Sequence, residues 1–216
     1  MSNTTKTIWL VRHGMREDFM RPAWRDTAER PHDTPLSREG WDQARDTGEF
    51  LLGKGVEIIY CSPFLRAVET AAGVSDVLDI PIRIEHGLCE VLKAEWFPGP
   101  PDYIPPHVLH RRFPRIDLSY QTRVLPDFPE VEEHGDVGRR CRQAVDAMLT
   151  DGWQSALWVG HGASVGGIGW ALTGHVNDVC FKLCGMTGWR GVPGAWTPIY
   201  SGVEHLSVTE EHLRFH

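Results

Sequence analysis

Thr7-Ile8-Trp9-Leu10-Val11-Arg12-His13-Gly14 (TIWLVRHG) joins a short apolar run directly to a basic, glycine-containing turn. A run apolar at every position has the pattern of a strand buried on both faces. It predicts that Arg12, His13 and Gly14 lie in the loop where that strand ends. Outward from this stretch, Ser37 opens a helical pattern that places Trp41, Ala44, Gly48, Leu51 and Leu52 on one face, and Gly53 and Gly55 stop it. Val56–Tyr60 (VEIIY) reads as a second buried strand. Ser62-Pro63 follows as N-cap and first-turn proline of a helix over Phe64–Leu78. Ile82–Glu85 is a third strand. Val137, Cys141, Ala144, Val145, Met148 and Leu149 mark an amphipathic helix, and Ala156–Val159 another strand. Gly160-His161-Gly162 then leads into a helix of small residues, Ala163–Leu172. Strand, loop and helix in this repetition predict an α/β fold around a mostly parallel sheet covered on both faces. The tail Thr197–Phe215 alternates polar and apolar residues and reads as an edge hairpin or meander.

Two stretches break the rhythm. Phe19–Asp33 is rich in Arg, Trp and Pro without a clean period. Glu90–Glu133 holds eight of the 15 prolines together with Trp96, Phe97, Tyr103, Phe113 and Tyr120. A loop of that length is more often functional than idle, so a proline- and aromatic-rich insertion at about residues 88–133, lying over the active face, is expected within one domain spanning residues 1–216. The 216 residues carry 22 Lys+Arg and 29 Asp+Glu, a net charge of −7, with 41% apolar and 24% charged residues. That is an ordinary globular composition, and its acidity argues against a nucleic-acid coat. No stretch approaches the roughly 20 apolar residues of a membrane helix. Met1–Lys6 is polar and Ile8–Val11 is too short for a secretory core, so the five cysteines are expected reduced, in the cytosol. Cys180 and Cys184 lack further ligands in zinc-like register.

Open parallel sheets place ligands at the carboxyl ends of their strands, and three such ends carry strong polar residues. They are Arg12-His13-Gly14-Met15-Arg16, Cys61-Ser62-Pro63 with Arg66 on the next helix turn, and Gly160-His161-Gly162. Arginine forks and a helix start make an anion site. A neutral imidazole in such a pocket can attack phosphorus if its other nitrogen donates to a carbonyl. The arginines and second histidine would hold the phosphoryl oxygens, and Glu90, just beyond the third strand, is the carboxylate placed to protonate the leaving oxygen. Each residue taken alone has a plainer reading as a turn, a surface charge or a solvated acid; their joint placement at successive strand ends favours chemistry. Eight further histidines (His86, His107, His110, His134, His175, His205, His212, His216) read as surface or packing residues. Arg139-Arg140-Cys141-Arg142 reads as the solvated face of a helix. Of the nine tryptophans, Trp24 and Trp96 are the candidates for more than packing.

Four ordered motifs resemble the histidine phosphatase superfamily, the phosphoglycerate mutase-like fold. LVRHGMR (Leu10–Arg16) is similar to its signature loop, and DTPLSREGWDQAR (Asp33–Arg45) to the stretch after it. YCSPFLRAVETA (Tyr60–Ala71) is similar to its second-arginine segment and WVGHGASV (Trp158–Val165) to its second-histidine segment. RHGMRED, GLCEV (Gly87–Val91) and EWFPGPPDYIPP (Glu95–Pro106) resemble the branch of ecdysteroid-phosphate phosphatases and ubiquitin-associated and SH3-domain-containing T-cell regulators. The resemblance implies a three-layer α/β/α sandwich and chemistry without metal or other cofactor. It implies His13 as phosphorylated nucleophile, Arg12, Arg66 and His161 as phosphate clamp, Arg16 as an additional arginine, and Glu90 as proton donor. Relatives of this branch form dimers, so a homodimer is expected. Mutases carry a small hydroxyl residue where Arg16 stands, and Val91 replaces an aromatic of the close branch. The expectation is a metal-independent phosphomonoesterase acting through phosphohistidine on an aryl or bulky apolar ester, whether small-molecule or phosphotyrosine-like, with neither nucleic acid nor membrane as partner. The alternatives are a phosphoglycerate mutase-type phosphotransferase and a weakly catalytic phospho-ligand binder.

Overall fold

A computed structural model describes residues 4–131 and 135–209. Six strands form one sheet in the order β3-β2-β4-β1-β5-β6: β1 (Lys6–Arg12), β2 (Ile58–Cys61), β3 (Ile82–Ile84), β4 (Ser155–Gly160), β5 (Met186–Val192) and β6 (Ala195–Gly202). The first four are mutually parallel, and β5 and β6 add an antiparallel edge. Helices α1 (Glu17–Met20), α2 (Trp24–Thr27), α3 (Arg38–Leu51), α4 (Leu65–Leu78), α5 (Pro106–Leu109), α6 (Asp136–Leu149) and α7 (Gly162–Thr173) complete the described regular elements, with a 3₁₀ turn at His86–Leu88. None of the described helices is long and apolar enough to cross a membrane.

The unbroken apolar runs of the central strands follow from this layering. Ile8 and Leu10 of β1, with Ala156 and Trp158 of β4, face a core shared with Cys141, Met148 and Ile168 of α6 and α7. Trp9, Val11, Leu157 and Val159 point the other way, into a core shared with Val68 and Ala71 of α4. Since side chains alternate across a strand, a strand covered on both sides must be apolar at every position. α3 and α4 pack as one layer and α6 and α7 as the other, giving the three-layer sandwich. A Cβ on Gly73 of α4 would stand 2.7 Å from the Ala44 Cβ of α3, so glycine there sets the close approach of that pair.

The tail is corrected in register. The edge hairpin runs Met186–Gly202 rather than from Thr197, and the expected extension past Thr209 lies outside the described residues. β5 (MTGWRGV) carries two glycines that weaken its strand pattern. The insertion divides in two. Ile116 bridges Ile82 in parallel, with the Ile82 N–H donating to the Arg115 carbonyl at 2.9 Å and the Asp117 N–H to the Ile82 carbonyl at 2.8 Å, so this half covers the β3 edge. Glu95, Trp96 and Phe97 of the other half line the mouth, and Phe97 to Tyr103 line a cavity beside it. The insertion's expected end at Glu133 is outside the described residues.

Candidate active site

His13 sits one residue beyond β1, and its backbone N–H donates to the Gly160 carbonyl at 2.9 Å. Gly14 N–H donates to Thr70 Oγ1 at 3.0 Å and Met15 N–H to Gln43 Oε1 at 2.8 Å. A Cβ on Gly14 would lie 2.9 Å from the Gly40 carbonyl oxygen, so only glycine lets this loop rest on the start of α3. The His13 ring is buried, with Nδ1 2.8 Å from the Gly14 carbonyl oxygen. A carbonyl only accepts, so Nδ1 carries the hydrogen and Nε2 keeps its lone pair. Burial, and then the charges of Arg66 and Arg12, push protonation of His13 well below the ordinary histidine value of 6.5. The ring is neutral at physiological pH.

His161 lies with its ring centroid 5.1 Å from that of His13. It too is buried, and burial followed by Arg66 and its His13 neighbour pushes its protonation well down. Its Nε2 is 2.7 Å from Ser62 Oγ, while its buried Nδ1 has no hydrogen-bond partner. Ser62 therefore orients this histidine and does not cap the next helix. Phe64 is extended (ψ 136°), α4 starts at Leu65, and Asp33 Oδ1 accepts the Leu65 N–H at 2.7 Å. Arg66 is 3% exposed, with its guanidinium 4.4 Å over the Phe64 ring and its Nε unpartnered. Burial and the Arg16 charge bring Arg66 down to about 10, still cationic at neutral pH. A buried cation without a bound carboxylate is costly, and an anion at the mouth would relieve that cost. Arg12, whose Nη1 donates to the Phe181 carbonyl at 2.8 Å, is close enough for its charge to act on both histidines. Arg16 is oriented by Asp18 at 2.9 Å, and Asp18 also receives Arg25 at 2.7 Å.

Glu90 Oε2 lies 4.0 Å from His161 Nδ1, so the structure brings all the expected residues together. Glu90 stands on irregular backbone, and long-range contacts hold it. Arg140 is a correction: it is 4% exposed rather than solvated, because it shares the buried stripe of α6 with Ala144 and Met148. Arg139 and Arg142 are exposed, as expected. Arg140 Nη1 donates to the carbonyls of Gly87 (2.8 Å) and Cys89 (3.0 Å), and its Nε to Glu130 at 2.6 Å. Glu130, also buried, accepts the Leu92 N–H at 3.0 Å through Oε2, and its own N–H donates to the Leu92 carbonyl. One buried ion pair thus grips the chain on both sides of Glu90. Glu85, fully buried, accepts from Tyr120 Oη, Thr122 Oγ1 and the N–H groups of Gly87, Arg123 and Val124.

The mouth is a cleft of about 480 Å³ bounded by Arg16, Arg25, His32, Arg66, Glu90 and Trp96, among others. Arg25 and His32 come from the aperiodic Phe19–Asp33 stretch, and no motif spacing singled them out. Trp96, 52% exposed, lines the cleft, whereas Trp24 does not. His86 packs on Tyr103 and His205 on Phe50 and Tyr200, and His107 and His175 are exposed. His134, His212 and His216 lie outside the described residues.

Two neutral histidines and a buried arginine at the strand ends of a covered α/β sheet define the class: a sandwich with an arginine-lined mouth. The chain belongs to the histidine phosphatase superfamily, whose branch 1 matches residues 8–182. It is 29% identical over 194 residues to the ecdysteroid-phosphate phosphatase of Bombyx mori, covering 74% of this chain and 29% of that protein. It is 36% identical over 100 residues to ubiquitin-associated and SH3 domain-containing protein B of Homo sapiens, covering 43% of this chain and 15% of that protein. The chain therefore matches less than a third of either relative's length. Among solved structures, the Bombyx mori ecdysone phosphate phosphatase in complex with tungstate superposes with a TM-score of 0.76 at 24% identity, covering 90% of this chain and 92% of that one. Phosphoserine phosphatase of Entamoeba histolytica superposes with a TM-score of 0.60 at 17% identity, covering 93% and 99%. At these identities the superpositions speak for the fold alone.

Proposed function

We propose that the chain is a phosphomonoesterase that works through a phosphohistidine at residue 13 and requires no metal. His13 Nε2 attacks phosphorus and forms an N–P bond as the ester P–O bond breaks. The leaving oxygen takes a proton from the Glu90 carboxyl. Water then attacks the phosphorus and gives its proton to Glu90. The N–P bond breaks, orthophosphate departs, and the imidazole returns to its neutral form. Arg12, Arg66 and His161 hold the equatorial oxygens throughout, and the two arginines supply the positive charge that a metal supplies elsewhere. The observation that carries this reading is the His13 Nδ1 contact with the Gly14 carbonyl at 2.8 Å, which leaves the Nε2 lone pair free close to buried Arg66, whose Nε has no partner.

The preferred ester is aryl or otherwise bulky and apolar, because Trp96 and Phe97 wall the cleft. The name of the Bombyx mori relative fits that preference. Five free cysteines, four of them buried, favour a reducing compartment such as the cytosol. In the test, purified protein turns over p-nitrophenyl phosphate, in EDTA as in buffer, and His13→Ala lowers kcat at least ~10³-fold with an unchanged circular dichroism spectrum. Wild-type-like turnover by His13→Ala overturns the covalent route, and loss in EDTA restored by added metal overturns metal independence.

A further inference from the structure

We propose that the cleft has a second lobe, which receives the uncharged far end of a biaryl phosphate ester. This rests on the phosphatase reading above and narrows its substrate class. Beside the cleft lies a cavity of about 380 Å³, within the size range of small-ligand sites. The two spaces share His32 and Phe97, whose ring centroids are 5.8 Å apart, so the ridge between them is a single pair of side chains. Four prolines, Pro31, Pro98, Pro100 and Pro101, contribute to the walls, and Phe64 to the base.

Phe64 connects this cavity with the chemistry. Its ring lies 5.2 Å from His161 and 5.8 Å from Phe97, and the Arg66 guanidinium sits over it. A chain of packed rings, His161 to Phe64 to Phe97, therefore links the phosphate-holding groups to the wall of the second cavity. A single ring reaches along the first link of this chain, and a second ring is needed to enter the lobe. The walls are rigid. Proline side chains lose almost no rotamer freedom when a ring docks on them, and Arg30 ties the two wall segments together through Asp102 at 3.5 Å. Charge selects the far end. Glu29, Asp33 and Asp102 line the lobe against Arg30 alone, so a carboxylate or second phosphate there meets like charge.

The experiment compares kcat/KM for phenyl phosphate, 4-biphenylyl phosphate and its 4′-carboxy derivative on the wild-type protein and on Gly99→Phe. Gly99 lines the lobe but not the cleft, and a Cβ there meets nothing within 4 Å, so the new ring has room to occupy the space. The wild type should favour the biphenylyl ester over phenyl phosphate by about tenfold or more, from burial of the extra ring. The carboxy derivative should lose that advantage, and Gly99→Phe should bring the biphenylyl-to-phenyl ratio toward one. A wild-type ratio near one, or a high ratio that Gly99→Phe leaves unchanged, overturns the second lobe while phenyl phosphate turnover leaves the phosphatase reading standing. No turnover of any of the three esters overturns both.

Discussion

The proposed nucleophile and the proposed acid of this site are held by different kinds of structure. His13 and His161 stand one residue beyond β1 and β4, strands paired residue by residue through the centre of the sheet. Their positions follow from the sheet itself, and neighbouring backbone bonds finish the job. Glu90 stands on no regular element. Its place depends on Arg140 of α6 reaching back to Gly87 and Cys89, and on Glu130 from the far end of the insertion. A sheet delivers rigid groups cheaply, whereas an irregular arm needs buried charge to fix it. Glu90 is thus the part of the site most open to tuning by changes distant in sequence.

The largest expected separation between the two regions comes from Glu90→Gln. Alkyl phosphates, whose leaving oxygen needs a proton, should lose ~10²–10⁴-fold in kcat, while p-nitrophenyl phosphate, with a good leaving group, loses far less. Equal losses on both classes would remove Glu90 from the acid role. A smaller effect is expected from the clamp. Arg140→Ala strands Glu130 in the interior and should cost about 3–5 kcal/mol of stability, read by chemical denaturation. The paired replacement Arg140→Met with Glu130→Met removes both charges and should recover most of that stability. It still releases the arm, so alkyl phosphate turnover should drop by roughly 10–10² with p-nitrophenyl phosphate affected less. A doubly substituted protein with wild-type ester preference would show that the clamp does not position Glu90.

The smallest effect concerns pH and the sheet-end histidines. Both are held neutral in the fold, with protonation pushed well below 6.5, while the unfolded chain takes up protons near that value. The unfolded state binds more protons, so their contribution to stability is present above about 6.5 and is lost as pH falls toward the folded-state values. Glu69 is pushed up to about 7 by burial and acts in the opposite sense, strengthening the fold as pH falls, so wild type must be compared with a variant. His13→Asn with His161→Asn should flatten the fall in Tm between pH 7.5 and 5. An unaltered slope would contradict neutral burial of these rings.

The same contrast explains what was legible in the sequence. IWLV, IIY and ALWV announce buried strands because two-sided burial forces apolar residues at every position, and the strand ends bring Arg12, His13, Arg66 and His161 together. The β5 strand was not legible, since its glycines hide the pattern. Ser62 carried a cap signature but serves His161, because the extended Phe64 delays the helix. Arg140 looked like surface in a run of arginines. Its register with Ala144 and Met148 on the apolar stripe was the available signal. Arg25, His32 and Glu130 reach the site or its support from aperiodic chain, where no spacing rule relates a residue to its neighbours in space.

The central claim is that His13 becomes covalently phosphorylated, and acid-quenched mass spectrometry of the protein mixed with excess phenyl phosphate tests it most directly. The account predicts a gain of about 80 Da, one HPO₃ from nucleophilic transfer, on the peptide containing His13, labile to acid and absent from His13→Ala. Full turnover under the same conditions with that peptide unmodified at every quench time, or with the added mass on another residue, would contradict it.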